Sequence, residues 1–215
     1  MTSLTPAMIP QVYLASSSPR RQELLAQFGL QFEVLHPNVD ETAIVGEAAG
    51  QYVIRLALEK ARAGWQLLST QTNDRSLVIG ADTCIVFADE LIGKPNDKLH
   101  YEHIMKRLSG ATHQVYSAVA MAGYDPCSGA DPEVKYRISR SGVEFREISA
   151  QERDAHWQSG EPAGKAGGYA IQGLAAAFVK NINGSYSGIV GLPLFETAEL
   201  LKEFGINILP RLQTR

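Results

Sequence analysis

The sequence predicts an α/β fold, because one long apolar strand is preceded by an alternation of strands with amphipathic helices. The stretch 77–87, LVIGADTCIVF, is apolar at positions of both parities, which is typical of a strand buried on both faces at the centre of a sheet. The longest helical pattern, 47–69, comes shortly before it. At 215 residues the chain suits one large domain or two small lobes.

The composition is that of an ordinary globular protein, with 45% hydrophobic residues, 20% charged residues and a formal net charge of −3. This balance argues against broad attraction to nucleic acids or to membranes. Cys84 and Cys127 make neither a disulfide framework nor a metal site. Since 1–10 lacks signal-peptide features and no apolar run is of membrane-spanning length, we expect a cytoplasmic protein with a flexible segment at 1–10 and a single domain over 11–215.

The first predicted strand, at 11–15, leads into the turn 16–21, SSSPRR. A serine followed by a proline is a helix start, and such a turn presents hydroxyls and free backbone N–H groups at the positive end of a helix. Two arginines add full charges and fork-shaped donors. The turn therefore favours anion binding through Ser16, Arg20 and Arg21, and the alternative is a capped helix with two solvated arginines.

A second strand is predicted at 32–35, followed by a polar loop that carries Glu41. By its pattern alone, Glu41 is a solvated loop residue. The helix predicted at 47–69 has apolar residues at spacings of three and four, and Lys60 lies within or at the edge of that stripe. Lys60 either extends along apolar surface to reach water or points its ammonium into a cleft, and both interpretations stay open.

The central strand contains Asp82, although a carboxylate in such a strand costs several kcal/mol unless a cation or donors meet it. In a purely structural role, the Asp82 carboxylate would be paired with a nearby lysine or with backbone amides. A role as metal ligand or general base at the end of a sheet strand is the functional alternative. A return strand at 91–93 places Lys94 near Asp82, either as its salt-bridge partner or as a phosphate ligand.

The rest of the chain is predicted to form a helix, two strands, a helix, a short strand and a last helix, at 97–108, 113–121, 135–145, 149–157, 178–182 and from 193 onward. The two longer strands are predicted to form an antiparallel pair in a smaller lobe. His113 and His156 lie in separate patterns without metal-ligand spacing, so we expect both to be ordinary residues.

The segment 160–173, GEPAGKAGGYAIQG, is rich in glycine but does not have the spacing of a P-loop. Its glycines let the backbone approach a ligand closely, and Lys165 brings a positive charge. The amide of Gln172 pairs with donor and acceptor edges at once, as a nucleobase presents them. The alternative is a glycine-rich connector with a solvated glutamine.

Together these motifs resemble the Maf family of the Maf/Ham1-like nucleotide pyrophosphatases. The matching motifs are, in chain order, SSSPRR at 16–21, GADT at 80–83, GKP at 93–95, GYAIQG at 168–173 and GLPL at 191–194. GKAG at 164–167 is similar to the dTTP/UTP subgroup rather than to the 7-methyl-GTP one. Ser17 stands where the family often has glycine, and Cys84 where an aliphatic residue is common.

The resemblance implies a mixed twisted sheet flanked by helices, two lobes around a nucleotide-binding cleft, a homodimer and a divalent cation, Mg²⁺ or Mn²⁺. It implies hydrolysis of dTTP and UTP, including modified pyrimidine nucleotides, to the monophosphate and pyrophosphate. Asp82 is the implied proton acceptor and, with Glu41, the implied metal ligand. The implied phosphate ligands are Ser16, Arg20, Arg21, Lys60, Lys94 and Lys165, and base choice is implied to rest on Arg20, Thr83 and Gln172.

The implied role is the removal of non-standard or excess pyrimidine nucleotides, with a link to arrest of cell division. One alternative is a pyrophosphatase for another base, of the 7-methyl-GTP or ITP type. Another is a non-catalytic, nucleotide-responsive regulator of septum formation or a nucleic-acid-binding module. The presence of Asp82 disfavours a non-catalytic protein, and the acidic balance disfavours nucleic acid.

Overall fold

The structure is a computed structural model that describes residues 10–68, 76–124 and 131–209. The expectations for Cys127 and for the segment 1–9 lie outside the described residues. Within the described ranges, no helix combines the length and the apolar character needed to cross a membrane.

The strands and helices predicted from the sequence are present, and the ends given for them agree with the structure to within two residues, but the short helix at Tyr186–Val190 was not predicted. In chain order they are β1 (Gln11–Ala15), α1 (Pro19–Ala26), β2 (Phe32–Leu35), α2 (Ala49–Leu68), β3 (Ser76–Phe87), β4 (Glu90–Ile92), α3 (Lys98–Leu108), β5 (Thr112–Gly123), β6 (Glu133–Phe145), α4 (Ala150–Gln158), β7 (Val179–Asn183), α5 (Tyr186–Val190) and α6 (Leu194–Glu203). Short 3₁₀ turns lie at Ala166–Gly168 and Leu174–Phe178.

Within the described ranges, the strands form one sheet of seven in the order β2-β1-β3-β5-β6-β7, with β4 paired to β3 beside this path. β1 runs parallel to β2 and to β3, and the other pairs are antiparallel. The predicted mixed sheet flanked by helices is therefore confirmed. β5 and β6 form the predicted antiparallel pair, and they continue the same sheet as β3.

One edge of β3 has a gap in its pairing. β5 covers the opposite edge from Leu77 to Val86, so β1 and β4 must share the remaining edge. β1 pairs with β3 as far as Ile79, and β4 pairs with it from Ile85 onward. In the described part of the chain, 80–84 has no ladder partner on that edge. Open α/β sheets bind ligands where neighbouring strands diverge in this way.

The hydrophobic core explains why a cleft opens at this gap. On one face of β3, two clusters of buried residues lie at opposite ends of the strand, one against α1 and α6 and the other against α3. Thr83 lies between them on this face and is only partly buried. A third cluster packs α2 on the other face. The two clusters form two lobes that meet at Thr83.

Two glycines let α2 pack with its backbone directly against the sheet. A Cβ atom at Gly80 would lie 2.4 Å from the carbonyl oxygen of Ala57 and 2.5 Å from the nitrogen of Ala61. At Gly64, it would lie 2.7 Å from Cγ1 of Val78. Real Cβ atoms do not approach so closely, so glycine is required at both positions. This close packing brings the side chain of Lys60 within reach of β3.

Candidate active site

A cleft of about 1020 Å³ opens at the gap in the sheet. Its walls come from the turn after β1, the loop before α2, the middle of β3, the turn after β4 and the glycine-rich segment. The structure brings all ten candidate residues of the sequence analysis to this one cleft: Ser16, Arg20, Arg21, Glu41, Lys60, Asp82, Thr83, Lys94, Lys165 and Gln172.

The centre of the cleft is an ammonium group between two carboxylates. Nζ of Lys60 donates to Oδ1 of Asp82 at 2.7 Å and to Oε1 of Glu41 at 2.6 Å. Only 10% of the Lys60 side chain and 9% of the Asp82 side chain are exposed. Of the two interpretations of Lys60, the structure supports the one in which its ammonium points into the cleft. Lys60 is therefore the salt-bridge partner of Asp82. Nζ of Lys94 instead lies 3.9 Å from Oε2 of Glu41.

Glu41 belongs to the cleft, although its sequence pattern is that of a solvated loop acid. The hydroxyl of Tyr52 on α2 donates to the backbone oxygen of Glu41 at 3.0 Å and ties the loop to the helix. Burial alone would raise the pKa of the Glu41 carboxyl, but the hydrogen bond from Lys60 and the charges of Lys60, Lys94 and Arg21 outweigh it and lower that pKa. Burial, with the charges of Asp82 and Glu41, raises the pKa of Tyr52 to about 12.

The serine–arginine turn is confirmed as a helix start, with Ser18 as the N-cap and proline at the first position of α1. Arg21 points back across the turn: its Nε donates to the carbonyl oxygen of Gly191 at 2.9 Å and its Nη1 to Oγ of Ser16 at 3.3 Å. Burial lowers the pKa of Arg21, against the opposing charges of Asp82 and Glu41. Arg21 thus joins the turn to the start of the GLPL motif as well as facing the cleft.

Thr83 is oriented by a buried serine, Ser117, that belongs to none of the sequence motifs. Oγ1 of Thr83 lies 2.7 Å from Oγ of Ser117, and Ser117 donates to the carbonyl oxygen of Gly188 at 2.6 Å. Thr83 also lies within donating distance, 3.3 Å, of the carbonyl oxygen of Gly191. Ser117 is fully buried and is the register partner of Thr83. In the sequence, Ser117 is distinguished only as a polar residue in an apolar strand. Its partner Thr83 lies on another strand, so no local pattern predicts the contact.

The glycine-rich segment forms the opposite wall. Nζ of Lys165 donates to the backbone oxygen of Glu161 at 2.5 Å, and the side chain of Gln172 is exposed to the cleft. The amide of Gly167 donates to the carbonyl oxygen of Gly93 at 2.9 Å, which joins this segment to the turn that carries Lys94. Gly167 has φ of +66°, and a Cβ there would lie 2.5 Å from Cδ1 of Ile85, so only glycine suits the position.

Two carboxylates in this cleft have the chemistry of a Mg²⁺ or Mn²⁺ site. Mg²⁺ prefers oxygen ligands and is usually held by one or two carboxylates together with substrate phosphates. Glu41 and Asp82 already converge on the same cation, the ammonium of Lys60. Across the described residues, no group of three or more His, Cys, Asp or Glu side chains forms a metal cluster. Two carboxylates suffice for a divalent ion whose remaining ligands are water and the phosphate oxygens of a bound ligand.

Comparison with known proteins gives consistent matches across the chain. A protein named dTTP/UTP pyrophosphatase from Alkalilimnicola ehrlichii is 46% identical over 95% of this chain and 98% of its own. Proteins of the same name from Saccharophagus degradans and Vibrio cholerae are 48% and 45% identical, over 92% and 91% of this chain and 90% and 99% of their own. A solved Ham1 protein from Staphylococcus aureus is a weaker match, with 17% identity and a TM-score of 0.42 over 63% of this chain and 71% of that one.

The profile of the family described as "Maf: Maf-like protein" matches residues 11–204. That span includes all the motifs on which the resemblance rests and all ten residues of the cleft. The chain therefore belongs to the Maf-like protein family.

Proposed function

We propose that this protein is a nucleoside triphosphate pyrophosphatase that hydrolyses dTTP and UTP to the monophosphate and pyrophosphate. The observation that carries the proposal is Asp82, a buried carboxylate on the central strand that lines a large cleft at the gap in the sheet and is paired with Lys60. The names of the relatives that are 45–48% identical support the same substrates.

The charge of the cleft supports a polyphosphate ligand. Among the described residues that line it are five cationic side chains and two carboxylates, although the whole chain has a net charge of −3. A cleft with a local surplus of positive charge attracts anions strongly, because its low-dielectric walls focus the electric field. In the proposed complex, the phosphates contact Ser16, Arg20, Arg21, Lys60, Lys94 and Lys165.

Asp82 is the proposed general base. Its carboxylate accepts a proton from a water molecule as that water attacks the α-phosphorus, and the bond to the bridging oxygen breaks to release pyrophosphate. Lys60 compensates the charge of the buried carboxylate and fixes its orientation through the 2.7 Å hydrogen bond. A divalent cation, held by Glu41 and Asp82, would supply neutralisation of the phosphate charge when bound.

Base choice is assigned to Arg20, Thr83 and Gln172. Ser117 gives its one proton to Gly188, so the proton of Thr83 goes to Ser117 or to the carbonyl oxygen of Gly191, and in either case not into the cleft. Thr83 therefore faces the cleft as an acceptor, which matches the imide N–H of uracil or thymine and does not match N3 of cytosine. The amide of Gln172 provides both a donor and an acceptor for the neighbouring base edge.

The finer features of the proposal follow the family resemblance. They are a single domain over 11–215, a homodimer, dependence on Mg²⁺ or Mn²⁺, a cytoplasmic location and no role for nucleic acid as partner. In this proposal the enzyme removes non-standard or excess pyrimidine nucleotides before polymerases use them, with a link to arrest of cell division.

The test is a panel of dTTP, UTP, CTP, ITP and 7-methyl-GTP incubated with Mg²⁺ in ¹⁸O-labelled water. We expect dTTP and UTP to give pyrophosphate, with the label in the monophosphate, because attack is at the α-phosphorus. Orthophosphate with a nucleoside diphosphate, or label in pyrophosphate, would contradict the mechanism. Preference for ITP or 7-methyl-GTP would support the other-base alternative, and binding without turnover would support the regulatory one.

A further inference from the structure

The carboxylate of Glu161 lies at the centre of the glycine-rich segment. Oε1 of Glu161 accepts hydrogen bonds from the backbone amides of Ala170 at 3.4 Å and Ala175 at 3.2 Å, and Oε2 accepts one from Leu174 at 2.5 Å. Gln172 lies between these contacts, two residues after Ala170 and two before Leu174. One side chain therefore fixes the backbone on both sides of Gln172.

A buried pair of side chains fixes Glu161 in turn. Nε2 of His156 on α4 lies 3.0 Å from Oε1 of Glu161, and Nδ1 of His156 lies 2.7 Å from the hydroxyl of Tyr101 on α3. A carboxylate only accepts, so Nε2 carries the proton, and in the neutral ring Nδ1 accepts from Tyr101. His156 is 3% exposed and Tyr101 is fully buried, so neither is placed to touch a substrate.

Two further observations show how closely the segment is built around this carboxylate. A Cβ atom at Gly173 would lie 2.2 Å from Oε2 of Glu161, so the backbone passes directly over the group. Burial alone would raise the pKa of Glu161, but the hydrogen bonds from His156, Leu174 and Ala175 lower it, which favours the ionised, acceptor-only form. The backbone oxygen of Glu161 also accepts from Lys165.

We propose that Glu161 is a positioning residue that sets base selectivity by holding Gln172 at the cleft through the backbone of 170–175. It acts through Gln172, and Tyr101 and His156 act through Glu161. This inference rests on the proposed function, because it concerns how the same cleft distinguishes bases. It adds a residue that neither the motifs nor the charge of the cleft identifies.

The test compares Glu161→Gln with Glu152→Gln in the full chain. Glutamine keeps the shape of Glu161 and one acceptor oxygen, which suits the Oε1 position where three donors converge. Its N–H₂ group then faces the backbone N–H of Leu174, so that hydrogen bond is lost, and the remaining ones lose a charged acceptor. Glu152 is a matched control, because its carboxylate caps the start of α4 through Ser149 and pairs with Arg146 instead. Glu161→Asp, which keeps the charge but shortens the side chain, serves if the glutamine variant does not fold.

Two readouts are measured: amide hydrogen exchange over 161–175, and kcat and KM for UTP and for CTP. For Glu161→Gln, we expect amide exchange at Leu174 to accelerate roughly tenfold or more, as a broken hydrogen bond of about 1 to 1.5 kcal/mol allows, and exchange at Ala170 and Ala175 to accelerate less. The UTP-to-CTP ratio of kcat/KM should fall roughly tenfold, mainly through KM for UTP. Glu152→Gln should keep the wild-type ratio and exchange.

Wild-type exchange in Glu161→Gln, or equal loss for UTP and CTP at a constant ratio, would overturn the positioning role. An intermediate change of ratio in Glu161→Asp would support it. If the wild-type protein releases no pyrophosphate from UTP, the proposed function fails by itself. The ratio is then read from the affinities for UTP and CTP, and with the exchange data it still decides the role of Glu161.

Discussion

At the scale of single residues, the arrangement around Lys60 has energetic consequences. One ammonium compensates two carboxylates, and the one on Asp82 is 9% exposed. Removing one partner of a buried ion pair leaves an uncompensated charge, which costs about 3–5 kcal/mol. Lys94 is 60% exposed and 3.9 Å from its carboxylate partner, so its contribution to stability is small.

Lys60→Met should therefore lower the free energy of unfolding at pH 7 by about 3 kcal/mol, whereas Lys94→Met should change it by less than about 0.5 kcal/mol. Urea denaturation of the two variants measures the difference. Adding Asp82→Asn to Lys60→Met should restore part of the loss, since no buried charge then lacks a partner. Equal effects of the two lysine variants would show that Lys60 is not the partner on which Asp82 depends.

Gln172→Ala should lower the ratio of kcat/KM for UTP to kcat/KM for CTP roughly tenfold, if one hydrogen bond of about 1 to 1.5 kcal/mol distinguishes the bases. Lys94→Ala should instead lower kcat/KM for every triphosphate by a similar factor, because the phosphates are common to all of them. Steady-state kinetics on both nucleotides measure the ratio. A ratio unchanged in Gln172→Ala would move base selection to Arg20 and Thr83.

At the scale of elements, the contact of α2 with β3 sets the geometry of the cleft. Lys60 leaves α2 from the same turn, 57–61, whose backbone lies against Gly80. A methyl group there must push the helix away from the strand, because the atoms that it meets belong to the backbone. The distance between Lys60 and Asp82 should therefore respond to a change that touches neither residue.

Gly80→Ala should destabilise the protein by about 1–3 kcal/mol, the usual cost of overpacking, and should lower kcat. Gly142→Ala is the control, since its Cβ would meet nothing closer than 3.5 Å. Thermal unfolding and kcat for UTP are the measurements. If Gly80→Ala unfolds and turns over like the wild type, the close packing is not what positions Lys60.

At the scale of the whole molecule, a buried histidine makes stability depend on pH. His113 is fully buried, with its Nε2 2.6 Å from the hydroxyl of Tyr169 and its Nδ1 without a hydrogen-bond partner among the described residues. Burial lowers the pKa of His113 from 6.5 to about 4. Between these values the unfolded chain binds the proton and the folded one does not, so stability falls as pH falls.

Protonation of His113 should lower the free energy of unfolding by about 3 kcal/mol in total, since each pKa unit corresponds to about 1.4 kcal/mol, and this loss is complete below pH 4. His113→Phe should flatten this part of the dependence, and His103→Gln, at an exposed position on α3, should leave it unchanged. Urea denaturation at pH 7 and pH 4.5 measures the effect. An equally steep loss in His113→Phe would assign it to other groups.

Much of the fold was predictable from local pattern. The central strand, the serine–arginine turn and the strand that returns beside β3 each have a sequence signal of their own, and the structure contains all three. Asp82 stands out because a carboxylate interrupts an apolar run. The gap at 80–84 was not predictable in this way, because it depends on where β1 ends and β4 begins along the same edge.

Ser117 and Glu161 were missed for the same physical reason. Ser117 acquires its role from Thr83, 34 positions away along the chain, and Glu161 from amides up to 14 positions further on. Neither contact follows a helical or strand period, so no local pattern identifies it. The resemblance to the Maf family supplied Glu41 as a site residue where its own pattern did not, and the structure places its carboxylate on Lys60.

The proposed hydrolysis depends on Asp82, at the gap in the sheet, as the general base. The most direct measurement is single-turnover hydrolysis of dTTP by Asp82→Asn, with nucleotide affinity measured on the same folded variant. We expect turnover to fall roughly 10² to 10⁴-fold while the affinity for dTTP stays within about threefold of the wild type, because asparagine keeps the shape but takes no proton. Unimpaired turnover by the folded variant would contradict the account.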